Sequence, residues 1–180
     1  DSSLGETFDV KTNKYDVTVR RTDVFKGWQI NYYKNNRTIV KLPSLLNIIY
    51  RKPHAIKYLK ELHISDSKKK NIFRRTRVSK IRGADIWGPF DSDNFYIFTY
   101  TILKPKITGI YTFRLFSDDG SQLYIYDFYT KKVKLVINND GIHSRLRKEG
   151  SINMIADREY SINVIMFDNK NEANLSLDYK

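Results

Sequence analysis

The chain is expected to fold as an all-β protein, an antiparallel lectin-like β-sandwich carrying a basic, partly helical insertion. Two observations support this. The 13 tyrosines and 10 phenylalanines, with abundant Ile and Val, favour strands over helices. Short runs of alternating apolar and polar residues also recur along the chain, separated by Gly, Pro, Asn and Asp clusters. With 180 residues and 41% hydrophobic content, the chain is long enough for one domain with a real core.

In chain order, residues 1–14 are polar and read as a loosely held arm, with a single sandwich domain over 15–180. Residues 15–20 alternate as a short strand, and 24–33 form an aromatic one in which Gly27 and Trp28 mark a close packing point with a buried indole. Pro43 breaks the chain before 45–50, which reads as a short buried strand. Pro53 then precedes Ala55, Ile56, Leu59 and Leu62, whose spacing suggests a helix over 54–64. The insertion is placed at about 43–82. Residues 95–103 form a long aromatic strand, and strands are also expected at 133–137, 151–156, 160–167 and 173–179.

The clearest local pattern is at 109–127. Tyr111, Phe113 and Leu115 alternate with Thr112, Arg114 and Phe116, and Leu123 and Ile125 alternate with Tyr124 and Tyr126. Between the two runs lie Ser117, Asp118, Asp119 and Gly120, which are turn residues. Adjacent carboxylates at a loop tip repel each other, and a hard divalent cation with oxygen ligands answers that repulsion. An ordinary hairpin with both side chains in water is the plainer alternative.

Charge is distributed unevenly. The net charge is +12, yet residues 51–82 hold 12 basic and 2 acidic groups, whereas 83–180 hold 12 basic and 13 acidic. Lys68, Lys69, Lys70, Arg74, Arg75, Arg77, Lys80 and Arg82 form a candidate surface for acidic protein partners, sulfated glycans or an anionic membrane. No zinc-finger spacing, RNA-recognition signature or helix-turn-helix pattern accompanies them, so nucleic acid is not an expected partner.

The chain has no cysteine, which excludes disulfides, a thiolate nucleophile and a Cys-based zinc site. Asn36 and Asn174 begin formal glycosylation triplets. No apolar run is long enough to span a bilayer as a helix. The chain starts at Asp1 without Met, and is expected to be a processed or excised part of a larger secreted or cell-surface protein. A Ser-His-Asp set can be drawn from Ser117, His143 and Asp140, but no nucleophile-elbow sequence supports it. Asp118 and Asp119 are neighbours in sequence, unlike the two opposed carboxylates of a glycosidase. The expectation is a protein that is not an enzyme.

Several stretches carry a family resemblance. Gly109, Tyr111 and Phe113 lead to Ser117, Asp118, Asp119, Gly120, Ser121, Leu123, Tyr124 and Ile125. Val136, Ile137, Asn138, Asn139, Gly141 and His143 follow, then Gly150, Ser151 and Ile152 ahead of Tyr160, Ser161 and Ile162. The last stretch is Ala173, Asn174, Leu175, Leu177 and Tyr179, and the run from Gly27 to Tyr33 is similar to an opening strand. Together they resemble the protective-antigen-type (PA-fourteen) module, named after the anthrax toxin component and found in yeast flocculation adhesins.

The resemblance implies a β-sandwich and, as in the sugar-binding adhesins, calcium held by the paired aspartates across a cis peptide with glycan hydroxyls completing the site. Carried over, the metal ligands are Asp118, Asp119, Asn169 and Asn171, with Asp168 a substitute and Lys170 beside the site. Tyr124, Tyr126 and Phe128 would supply apolar contact to sugar. Glycans or glycoproteins are then the expected partners and calcium the expected cofactor. The chain departs from the adhesin subgroup in lacking its cysteines and the aromatic of the second loop. The competing expectation, from a different class, is a structural or protein-interaction domain that docks through its basic insertion.

Overall fold

The computed structural model describes residues 5–7, 18–20, 27–60, 62–65, 94–170 and 173–180. Its elements are β1 (Gly5–Thr7), β2 (Thr18–Arg20), β3 (Trp28–Lys34), α1 (Leu45–Ile49), β4 (Ala55–Leu59), β5 (His63–Ser65), β6 (Phe95–Leu103), β7 (Gly109–Asp118), β8 (Ser121–Asp127), β9 (Lys132–Asn139), β10 (Leu146–Met154), β11 (Tyr160–Asp168) and β12 (Asn174–Tyr179). Every pairing is antiparallel. A four-stranded sheet runs β10-β7-β12-β5, a six-stranded sheet runs β4-β3-β6-β11-β8-β9, and β1 and β2 pair separately. A strand therefore lies within the segment expected to be a loose arm.

The two large sheets form the sandwich. Alternation sends Phe113 and Leu115 of β7, Leu123 and Ile125 of β8, and Ile162, Val164 and Met166 of β11 into one shared core. The central strands β6 and β11 are also apolar on their other face. Tyr96, Phe98, Tyr100, Ile165 and Phe167 there meet Ile39, Leu42, Leu45, Ile48 and Ile49, so residues 35–50 form a further layer over the six-stranded sheet. Phe98 and Tyr100 stack with ring centroids 5.5 Å apart.

Two expectations for the insertion are exchanged. Residues 45–49, expected as a strand, are a helix: Ser44 caps it by accepting from the Asn47 N–H at 3.4 Å, and Leu45, Ile48 and Ile49 are buried on one side. Residues 55–59, expected as part of a helix, are instead an edge strand paired to β3, with Ile56 and Tyr58 turned to solvent. The helical spacing of Ala55, Ile56 and Leu59 is overridden by the open hydrogen-bonding edge of β3. β5 extends the other sheet beside β12, so both sheets gain an edge strand from the segment 43–82. The basic stretch 68–82 lies outside the described residues. Trp28, expected to be buried, is partly so and packs at the margin of the inter-sheet core. Among the described residues no helix is long and apolar enough to cross a membrane.

Candidate functional site

The site forms where β7 turns into β8. Strand alternation faces Ser117 inward and Asp118 outward, and the Asp118-Asp119 peptide bond is cis. Asp119 is buried, at 4% exposure. One of its carboxylate oxygens accepts the His143 backbone N–H at 3.1 Å, and the other accepts the Asn169 backbone N–H at 2.9 Å. β7 and β8 belong to different sheets, so the expected hairpin is instead a turn that crosses between them. This turn is bonded to the loop after β9 and to the loop after β11. A carboxylate has about four acceptor positions, so further acceptor capacity remains on both oxygens.

The surrounding backbone is held tightly. The Phe167 N–H donates to the Gly120 carbonyl at 2.9 Å. The two ring nitrogens of His143 face the carbonyls of Ser144 and Asn139, each at 2.9 Å, which fixes the imidazole. Behind the tip, Ser117 and Ser121 hydroxyls are 2.6 Å apart, and the Asn139 amide donates to Ser117 at 3.1 Å. Asp140 accepts from the N–H groups of Leu42 and Gly141, both at 2.9 Å, joining the site to the layer formed by residues 35–50. Ser117, His143 and Asp140 are each occupied by these other partners, and no hydrogen bond links them as a catalytic relay.

A cleft of about 440 Å³ opens at this point, lined by Asp118, Asp119, Ile142, His143, Ser144, Asn169 and Lys170. Asn169 is 9% exposed, and its side-chain oxygen is buried without a hydrogen-bond partner among the described residues. Buried acceptors are rarely left unmatched, so this oxygen calls for a donor or a cation. No group of three or more His, Cys, Asp or Glu residues suited to a metal ion occurs among the described residues. The available donor set is two carboxylates plus an amide oxygen, all hard oxygen, which fits calcium in chemistry.

The other expected residues are placed differently. Asp168 is buried at the end of β11 and does not line the cleft, whereas Lys170 is exposed and does. Asn171 lies outside the described residues. Tyr124, Tyr126 and Phe128 are not brought to the aspartates. Tyr124 and Tyr126 pack on the outer face of the six-stranded sheet, and Tyr126 meets Phe128 edge to face at 5.1 Å. The Tyr124 hydroxyl donates to Gln122 at 2.9 Å, and burial, with the Asp140 charge as a lesser cause, raises its pKa above the ordinary tyrosine value. The walls contributed by Ile142, His143 and Ser144 were not foreseen. In the sequence that loop is marked by the nearby Asn-Asp-Gly turn and by the place of Gly141 and His143 in the family resemblance, neither of which assigns it to the site. Asn174, which begins one of the glycosylation triplets, is buried in β12, whereas Asn36 lies exposed in a bend.

This arrangement defines a lectin-like β-sandwich with a paired-aspartate turn between its two sheets. The match to the PA14 domain spans residues 32–180, and the chain belongs to the PA14 domain family. Its fold is similar to that of a PA14 sugar-binding domain from an RTX adhesin, with a TM-score of 0.63 at 16% identity, covering 86% of this chain and 89% of that one. It is likewise similar to the PA14 domain of the MpAFP antifreeze protein, with a TM-score of 0.62 at 15% identity and coverage of 87% and 82%. The A domain of Epithelial Adhesin 9 from Candida glabrata, solved with Galb1-3GlcNAc, gives 0.55 at 15% identity, with coverage of 86% and 81%. At these identities the likeness is one of fold. No curated protein sequence matches the chain.

Proposed function

We propose that the chain is a non-catalytic, extracellular carbohydrate-recognition or adhesion domain whose glycan binding depends on calcium. The observation that carries this reading is the cleft in which Asp118, Asp119 and the buried, unmatched Asn169 oxygen come together. The fold likeness to the sugar-binding RTX adhesin domain and to the epithelial adhesin solved with Galb1-3GlcNAc supports the same class of ligand. Asp118, Asp119 and Asn169 would hold the ion, with Asn171 a further candidate. Bound calcium would offer open coordination positions to sugar hydroxyls. Asp119 positions the loops of His143 and Asn169 through its two hydrogen bonds. Ile142 and the His143 ring give the cleft part of its wall. We place the domain over residues 15–180 of a larger secreted or surface protein, with an N-terminal segment at 1–14 and an insertion at about 43–82. Single sugar contacts are weak, so multivalent display suits this role.

Calcium titration by calorimetry on chelator-stripped protein, with a thermal melt in parallel, tests the reading. Saturable binding that raises the melting temperature and disappears in Asp119→Ala is expected. A flat titration with an unchanged melt sinks it.

The charge distribution favours a second reading. Residues 51–82 hold 12 basic and 2 acidic groups, which suits docking on an acidic protein, a sulfated glycan or an anionic membrane. Binding of that kind weakens steeply with salt and ignores chelator. Neutralising Lys68, Lys69, Lys70, Arg74 and Arg75 abolishes it, whereas the calcium reading is indifferent to that change.

A further inference from the structure

We infer that the outer face of the four-stranded sheet carries an acidic-sugar subsite. In it Arg145, Arg147 and Asn174, backed by Arg114, take the anionic oxygen group of a glycan whose neutral hydroxyls occupy the Asp118 and Asp119 cleft. The inference rests on the glycan reading above and specifies the sugar.

A cleft of about 260 Å³ on this face is lined by Arg114, Phe116, Arg145, Arg147, Asn174 and Ser176, together with Leu175 and Asp178. Three guanidinium groups therefore meet a single carboxylate, and that carboxylate is bonded to Arg114. Among the described residues the ion pair of Arg147 is with Glu149, at a loose 3.8 Å with both side chains exposed. Arg145 has no ion pair among the described residues, and its guanidinium lies 4.9 Å from the Phe116 ring centre. A guanidinium that contacts an aromatic ring face uses none of its N–H groups in an ion pair there, so they stay available for an oxyanion.

Asn174 supplies an independent observation. It is 2% exposed, and its side-chain nitrogen is buried with no acceptor among the described residues. An amide NH2 only donates, so the missing partner is an acceptor. A carboxylate or sulfate oxygen in this cleft provides one, alongside the charge-assisted bonds from the arginines.

Strand register joins this cleft to the paired aspartates. Asn174 is the cross-strand partner of Asp118, and Arg147 and Ser176 are both partners of Phe116. Phe116 lies two residues along β7 from Asp118, a span of about 7 Å at the usual strand rise and comparable to one sugar ring. Arg145 directly follows Ser144, which lines the aspartate cleft. The surface thus presents carboxylates at one end and, at the other, three guanidinium groups of which Arg145 has no ion pair among the described residues. A saccharide with hydroxyls at one end and an anionic group at the other matches that layout. Carboxylate and sulfate ester share the required chemistry.

The test uses matched sets of immobilised hexoses in calcium buffer at physiological salt: the neutral sugar, its uronic acid and its 6-sulfate. The wild-type chain is expected to bind an acidic member about tenfold more tightly than the neutral one, and the favoured acid identifies the anionic group. In Arg145→Gln/Arg147→Gln, with an unchanged melting temperature, the ratio of acidic to neutral binding falls to about one. Equal binding of neutral and acidic sugars by the wild type overturns the inference and leaves the calcium reading standing. Acidic preference that persists in the double variant also overturns it, because the preference then arises elsewhere on the chain. Acidic preference that survives chelator and Asp119→Asn but vanishes in the double variant upholds the subsite and removes the calcium reading. Failure of every set to bind overturns both.

Discussion

Gly120 and Gly141 come so close that a β-carbon on Gly120 would stand 2.8 Å from the Gly141 nitrogen, and it would also strike the Phe167 ring. Gly141 itself has φ +111°, a conformation few other residues adopt. The β7–β8 turn and the loop after β9 approach through their backbones, with no room for a side chain on Gly120. Gly120→Ala is expected to cost about 1–3 kcal/mol, the usual range for overpacking, and to weaken calcium binding. Denaturant melts with and without calcium read both effects, and a variant as stable as wild type contradicts the packing argument.

Asp119 and Asp118 separate folding from ligand binding. In Asp119→Asn one carboxylate oxygen becomes an amide nitrogen that meets a buried backbone N–H, at a cost of about 1–3 kcal/mol. Asp118→Asn is expected to abolish calcium affinity equally, with a smaller change in the metal-free melt. Measuring both melts in chelator and both affinities by calorimetry tests the distinction.

Metal removal provides a further test. At a calcium concentration of about 100 times its dissociation constant, the wild-type fold gains about 2.7 kcal/mol by mass action. Chelator is expected to reverse that gain in the wild type and to leave the Asp118→Asn melt unmoved. Equal chelator effects on the two proteins contradict the assignment of Asp118.

The layer over the six-stranded sheet contributes to the core. Ile48 is fully buried among Tyr33, Phe98 and Phe167 and their neighbours. Ile48→Ala is expected to destabilise by about 2–5 kcal/mol, as for other large-to-small core changes. Ser44→Ala, which removes a long and exposed cap, is expected to cost only about 0.5 kcal/mol. Comparable losses from the two changes, measured by urea unfolding, contradict this ordering.

Alkaline pH probes the same layer. Burial raises the Tyr33 pKa well above its ordinary 10.0, with lesser opposing effects from the Asn31 hydrogen bond and the Arg51 charge. Above pH 10 the unfolded chain loses this proton while the folded chain keeps it, so stability falls as pH rises. The contribution is fully present below pH 10 and is lost as pH climbs toward the raised folded-state value. Tyr33→Phe is expected to show a shallower decline of melting temperature above pH 10, and an identical slope rules out Tyr33 as a source.

The two strands of 109–127 were legible because their periodicity is local and neighbouring stretches carried the family resemblance. The expected hairpin was not borne out, because β7 and β8 belong to different sheets and the turn at Asp118 and Asp119 crosses between them. The expectations for 45–49 and 55–59 were exchanged because the sequence signals there conflict. The short run 45–50 after the break at Pro43 read as a buried strand, while the capping role of Ser44 and the burial of Leu45, Ile48 and Ile49 at helical spacing mark a helix. Ala55, Ile56 and Leu59 have helical spacing, yet they occupy an edge strand whose stability comes from β3. Asn169 was accessible through the resemblance to a second ligand loop. Arg114, Arg145, Arg147 and Asn174 come from three strands and a loop, and only the register of β10, β7 and β12 brings them together.

The two hydrogen bonds of Asp119 join positions 24 and 50 residues away along the chain. With β7 and β8 formed in their separate sheets but β11 and the loop after it not yet docked, Asp119 would lack its bond to the Asn169 N–H. Under the calcium reading, recognition is therefore a property gained only once the loop after β11 has docked. If tension is transmitted through the C-terminal strand, it would be the first property surrendered, with release preceding unravelling of the sheets.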